Sequence, residues 1–137
     1  NIIMKNIIIV FIFIFSSIYS STSFGDWKIL GSMISKSETI TGTTFIDYER
    51  SIKAGGDIYF WILIDFDKEV QNKYFSMTIM FEGDCKIIRT KRLSVSFYEG
   101  NMGKGEDTNL PQGNKWIYPK LGTNEEIYLK NACDYFK

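Results

Sequence analysis

The chain contains no histidine. That absence removes Ser–His and Cys–His nucleophile pairs, and with them histidine-based metal sites. It also has no long uninterrupted apolar run. The most apolar stretch, Ile7 to Phe15, is nine residues and ends in Ser16-Ser17, whereas a spanning helix needs about 20. Net charge is absent too, with 16 basic residues against 16 acidic. A dedicated nucleic-acid binder would need a basic footprint. Cysteine is scarce, at two residues, Cys85 and Cys133.

What stands at the start has the order of an export signal. Met4, the expected start, and Lys5 precede the apolar run, and the small polar stretch Ser16 to Gly25 follows it. A positive end, a short apolar core and small residues at a cut site define a secretory signal peptide. Cleavage is expected after Ser23 or after Gly25, so that residues 1–25 are extension and signal and residues 26–137 form one mature domain. No cysteine lies near the cut, so a lipid anchor has no attachment point, and the mature protein is expected in the periplasm or outside the cell. In such an oxidising compartment two cysteines imply a bridge, Cys85 to Cys133. A bridge closing just under 50 residues contributes roughly 4 kcal/mol on the chain-entropy model.

The mature part is patterned mainly for strands. In Asp57 to Phe66, Ile58, Phe60, Ile62, Ile64 and Phe66 share one face, while Tyr59, Trp61 and Leu63 make the other face apolar as well. A strand apolar on both sides belongs in a sheet centre. Lys73 to Glu82 alternates with Phe75, Met77, Ile79 and Phe81 on one side, and Lys86 to Tyr98 with Leu93, Val95 and Phe97. With Glu82-Gly83-Asp84 as the turn signal, the two read as a hairpin. Trp27 to Leu30, Thr43 to Tyr48 and Trp116 to Tyr118 are shorter strand candidates.

The only helical pattern is terminal, over Asn124 to Tyr135. Thr123 and Glu126 have capping-box spacing, and Leu129, Ala132, Cys133 and Phe136 form one apolar stripe. The expected fold is therefore α+β, an antiparallel sheet with one C-terminal helix packed on it and tethered by the disulfide.

Sites for chemistry fail on spacing. Asp65, Asp67 and Glu69 could offer oxygens to a cation, but the EF-hand order would need Gly and Glu where Val70 and Ser76 stand. Gly100 to Gly105 is glycine-rich yet lacks the phosphate-loop order, since Gly105 follows Lys104. Lys86, Arg89, Lys91 and Arg92 form a basic cluster, but 89 and 91 share a face while 92 points opposite. A charged edge that blocks sheet aggregation accounts for it better than an anion site. No catalytic, cofactor or metal residue is expected. The three tryptophans, Trp27, Trp61 and Trp116, suit either a core or a surface that stacks on sugars or anchors a protein.

Trp27 at the mature start, Asp47 in TFIDYERSI, Trp61 in YFWILIDF, the Asp84-Cys85 turn, the run Tyr98 to Gly105, Trp116 with Pro119, and the terminal Ala132-Cys133 occur in this order. In that order the chain resembles the bacterial surface-adhesin protein E-like family over nearly all its mature length. The resemblance implies a sheet of about six antiparallel strands with a disulfide-tethered helix; the family's name-giving member is an adhesin that binds host extracellular-matrix proteins. The functional expectation is an exported, non-enzymatic, adhesin-like module recognising an extracellular or envelope protein. A cell-envelope assembly factor that binds through a sheet edge is the alternative. A small carboxylate hydrolase, which would need two carboxyls converging in a deep pocket, is the third reading.

Overall fold

The computed structural model describes residues 25–137. The expected signal segment falls outside the described residues, apart from Gly25. Six antiparallel strands lie in simple chain order, β1 (Lys28–Ile34), β2 (Thr41–Ala54), β3 (Asp57–Val70), β4 (Tyr74–Asp84), β5 (Arg89–Tyr98) and β6 (Asp107–Leu110). Among the described residues one α-helix, α1 (Asn124–Tyr135), crosses one face of this sheet. The expected class and helix bounds agree with this.

The hairpins follow from local chemistry. Gly55 and Gly56, at φ 61° and 86°, make the two-residue turn between Ala54 and Asp57; both central positions need positive φ there, which glycine adopts without steric cost. On the helix side, Ile46, Ile58, Phe60, Ile62, Ile79, Phe81 and Val95 pack with Tyr128, Leu129 and Ala132 of α1 into one buried core. Phe60 and Phe81, paired across β3 and β4, stack at 5.3 Å. Burying a large apolar side chain contributes about 1.5–3 kcal/mol, so this row accounts for much of the fold's cohesion.

The disulfide joins Cys85 to Cys133 with Cα atoms 5.8 Å apart, tying α1 to the β4–β5 hairpin as expected.

Four local expectations are corrected. The hairpin turn is Cys85 to Ile88, with β4 continuing through Gly83 and Asp84. Gly83 looks like a turn residue but stays in the strand because the helix needs its bare backbone: a Cβ there would lie 2.6 Å from Leu129 Cδ1. The sixth strand is β6, while Trp116 to Tyr118 makes a single bridge, Ile117 to Thr90. In β5, alternation breaks where Phe81 pairs with Arg92 and Met80 with Ser94. The extra residue, Leu93, is thereby turned outward at 39% exposure. The capping box does not form. Thr123 is the N-cap, but its hydroxyl donates to Lys120 O at 2.6 Å, and Glu125 rather than Glu126 is engaged, with Thr90 and Arg92.

Candidate functional site

The face opposite α1 is covered over only part of its width. After β5 the chain folds back as the loop Glu99 to Glu106, containing the 3-10 turn Asn101–Gly103. Asp65 Oδ1 accepts from Met102 N at 2.8 Å and from Asn101 Nδ2 at 3.2 Å. Ser76 Oγ donates to Gly100 O at 2.6 Å and accepts from Gly103 N at 2.9 Å. Gly103 lies against Leu63 and Thr78, and Leu63 is fully buried although it faces away from the helix. The glycine-rich run is thus a fixed cover. Asp65 anchors it, while Asp67 and Glu69 are exposed at the strand end.

The other half of this face is uncovered. Along one row of paired residues stand Asp47, Trp61, Met80 and Ser94, and along the next Ile52, Tyr59, Glu82 and Lys91. Asp47 is completely buried and holds Arg50, through Nε at 2.5 Å and through the backbone N–H at 3.2 Å. This close i,i+3 contact is made where β2 shifts register between Asp47 and Ile52. The guanidinium lies 5.1 Å from the ring centre of Trp27 and 5.4 Å from that of Trp61, within cation–π range.

A second aromatic–cation group closes the band. The Ile117 to Thr90 bridge sets Trp116 beside β5, with Arg89 at 4.1 Å and Lys91 at 4.5 Å from its ring centre. Lys91 also meets Glu82 at 3.8 Å, and Tyr59 donates to the same carboxylate at 3.3 Å. Desolvation and the adjacent Glu82 push the Tyr59 phenol above its ordinary 10.0. Arg89 bonds Asp84 at 3.2 Å. Asp84 Oδ1 accepts from the Lys86 and Ile87 amides at 3.0 and 3.1 Å. The Ile87 amide leads the effects that hold the Asp84 carboxyl below 3.8, and they outweigh its desolvation.

The basic cluster is therefore split. Arg89 and Lys91 stack on Trp116, Arg92 turns to the helix side and pairs with Glu125, and Lys86 sits in the turn. On the uncovered band each cation has a carboxylate, Arg50 with Asp47, Lys91 with Glu82 and Arg89 with Asp84. Such a surface is aromatic and internally neutralised. The loop cover and the Arg50 stack were not anticipated from the sequence; the spacing of Asp47 and Arg50 within one strand gave no signal, because only the register shift brings them together.

Among the described residues no three metal-ligating side chains cluster. The carboxylates beside the cavity at the end of α1, Glu126 and Asp134, are two helical turns apart, about 12 Å, and Asp134 is held by Lys137 at 2.8 Å. They do not converge as a hydrolytic pair would.

The family model for surface-adhesin protein E matches residues 27–134. Two solved structures of Haemophilus influenzae protein E share the fold. One aligns at TM-score 0.59 and 17% identity, over 69% of this chain and 83% of its own; the other at 0.57 and 15%, over 66% and 76%. No curated protein matches by sequence.

Proposed function

Because the chain belongs to the surface-adhesin protein E family, we propose that it is an exported, non-enzymatic binding protein that recognises another protein through the uncovered half of its sheet. The observation that carries this reading is the concentration of Trp27, Trp61, Trp116, Tyr59, Met80, Arg50 and Arg89 on one partly accessible band. Tryptophan, tyrosine and arginine are the side chains that dominate protein interfaces. Here they are preorganised, since Asp47 and Asp84 fix both guanidinium groups before any partner arrives, which lowers the ordering cost of association. Paired charges also favour a mixed, polar-rimmed protein surface over a polyanion.

Export is part of the proposal, with residues 1–25 as extension and cleaved signal and 26–137 as the working domain, in the periplasm or at the cell surface. No helix among the described residues is long and apolar enough to cross a membrane. Protein recovered from the source cell should begin near Phe24 or Asp26; an intact Met4 terminus in the mature pool contradicts export by cleavage.

Hydrogen exchange on a complex with a bound extracellular protein tests the face. Protection is expected at β3 to β5 around Trp61, Met80 and Lys91. Protection confined to β1 would favour the alternative, an envelope assembly factor binding by strand addition. β1 is a sheet edge with Ile29 70% exposed, although the irregularity between Ile29 and Gly31 interrupts it.

A further inference from the structure

The helix side of the sheet holds a second feature, unconnected with the aromatic band. Beside the Gly83–Leu129 contact lies a cavity of about 630 Å³ between the C-terminal half of α1 and the hairpin turns. Its apolar wall is formed by Ile58, Leu129, Phe136, Pro119 and the Cys85–Cys133 bridge, with Ile88 and Leu121 also lining it. The volume falls in the range of small-molecule pockets, roughly 300–1,000 Å³.

Two observations bear on what the cavity suits. The first is Ile88, a β-branched residue at φ 60° and 45% exposed. That backbone region is a genuine outlier for a β-branched side chain, and such conformations gather at ligand clamps. Asp84 pins the turn that imposes it, and Ile88 N donates to Asp84 O at 3.0 Å. Leu121, 90% exposed, adds a second apolar side chain that water alone does not favour.

The second observation is charge. Lys53, Lys86, Lys130 and Lys137 surround the cavity, against Glu126 and Asp134. Lys137 is paired with Asp134 at 2.8 Å. Among the described residues Lys53 and Lys86 make no ion pair, while Lys130 acts with Lys137 on Asp134, so ammonium groups outnumber carboxylates around the cavity. Lysine stems lie along apolar surface while their ammonium groups reach outward. An apolar cavity whose rim carries an excess of ammonium groups, Lys53 and Lys86 among them without an ion pair, is complementary to an amphiphile with one negative end.

We propose that this cavity binds a fatty-acid carboxylate, its acyl chain lying against Ile88, Leu121 and Phe136 over the floor of Ile58 and Leu129, and its head group held by Lys53 and Lys86. The disulfide links the two walls, so an oxidised chain is the binding form.

Calorimetric titration of the oxidised mature chain with laurate, below its micellar concentration, tests the assignment. Saturable uptake of one laurate per chain is expected, with 1-dodecanol bound at least tenfold more weakly. Leu121→Asp and the double variant Lys53→Glu/Lys86→Glu should each weaken laurate binding tenfold or more at unchanged melting temperature. Both variants alter only exposed side chains, so folding is retained. Trp61→Ala should bind laurate as the parent does, which separates this site from the protein-binding face. Absence of saturable uptake, equal binding of laurate and dodecanol, or association with phosphatidylglycerol vesicles without laurate uptake would each overturn the proposal.

Discussion

The buried carboxylate of Asp47 grips Arg50 at 2.5 Å, three residues along the same strand. This pair sets the position of the cation between Trp27 and Trp61. Asp47→Ala should lower stability by about 2 kcal/mol, since it removes hydrogen bonds to a charged group while Arg50 keeps partial access to water. Urea unfolding measures this directly; a change within about 0.5 kcal/mol, the range of ordinary surface substitutions, would show that the pair is dispensable.

Gly83→Ala puts a methyl group 2.6 Å from Leu129 Cδ1 and 3.2 Å from both Ile58 and Phe60. Overpacking of this kind costs about 1–3 kcal/mol. Shortening the obstructing side chain should relieve it, so Gly83→Ala and Leu129→Ala together should cost less than their separate effects added. A double-mutant cycle by urea unfolding reads this coupling, and strict additivity would place the helix further from Gly83.

Asp84 contributes to the acid dependence of stability. Its folded pKa lies below the ordinary 3.8, chiefly through the Ile87 amide. A depressed carboxyl stabilises the fold above its unfolded pKa and loses that contribution as pH falls through the folded value. Asp84→Asn should therefore be less stable than the parent at pH 7, with the difference closing as pH drops below 3.8 and through the lower folded value. Thermal melts across that window test this; a constant gap would assign the stability to packing.

Cys133→Ser should cost about 2–5 kcal/mol and loosen α1, because the bridge spans 48 residues. Thiol titration of unreduced, denatured protein should find none free. Unchanged exchange protection in α1 of the variant would show that Leu129, Ala132 and Phe136 hold the helix without the bridge.

Strand positions were legible where alternation and turn chemistry agreed, as in Asp57 to Phe66 with Gly55-Gly56 before it. The disulfide followed from the cysteine count and the export expected of the chain. β6 was not legible, because Asp-Thr-Asn-Leu is exposed throughout and has no buried face to impose a pattern. Gly83 misled because glycine's tolerance of turns and its lack of a Cβ look alike in sequence. The aromatic band escaped notice for a related reason: Trp27, Trp61 and Trp116 are distant in the chain, and only strand register and the Thr90–Ile117 bridge bring them onto one face.

The central claim is that this face, and not the basic residues as such, binds a protein. Surface plasmon resonance of the mature chain against a panel of immobilised extracellular-matrix proteins tests it, comparing the parent with Trp61→Ala/Trp116→Ala at matched melting temperature. Truncating interface anchors typically costs 2 kcal/mol or more. Saturable binding to at least one matrix protein, weakened tenfold or more in the double variant, is the predicted result. Binding that survives the double substitution unchanged, or no binding to any member of the panel, would contradict it.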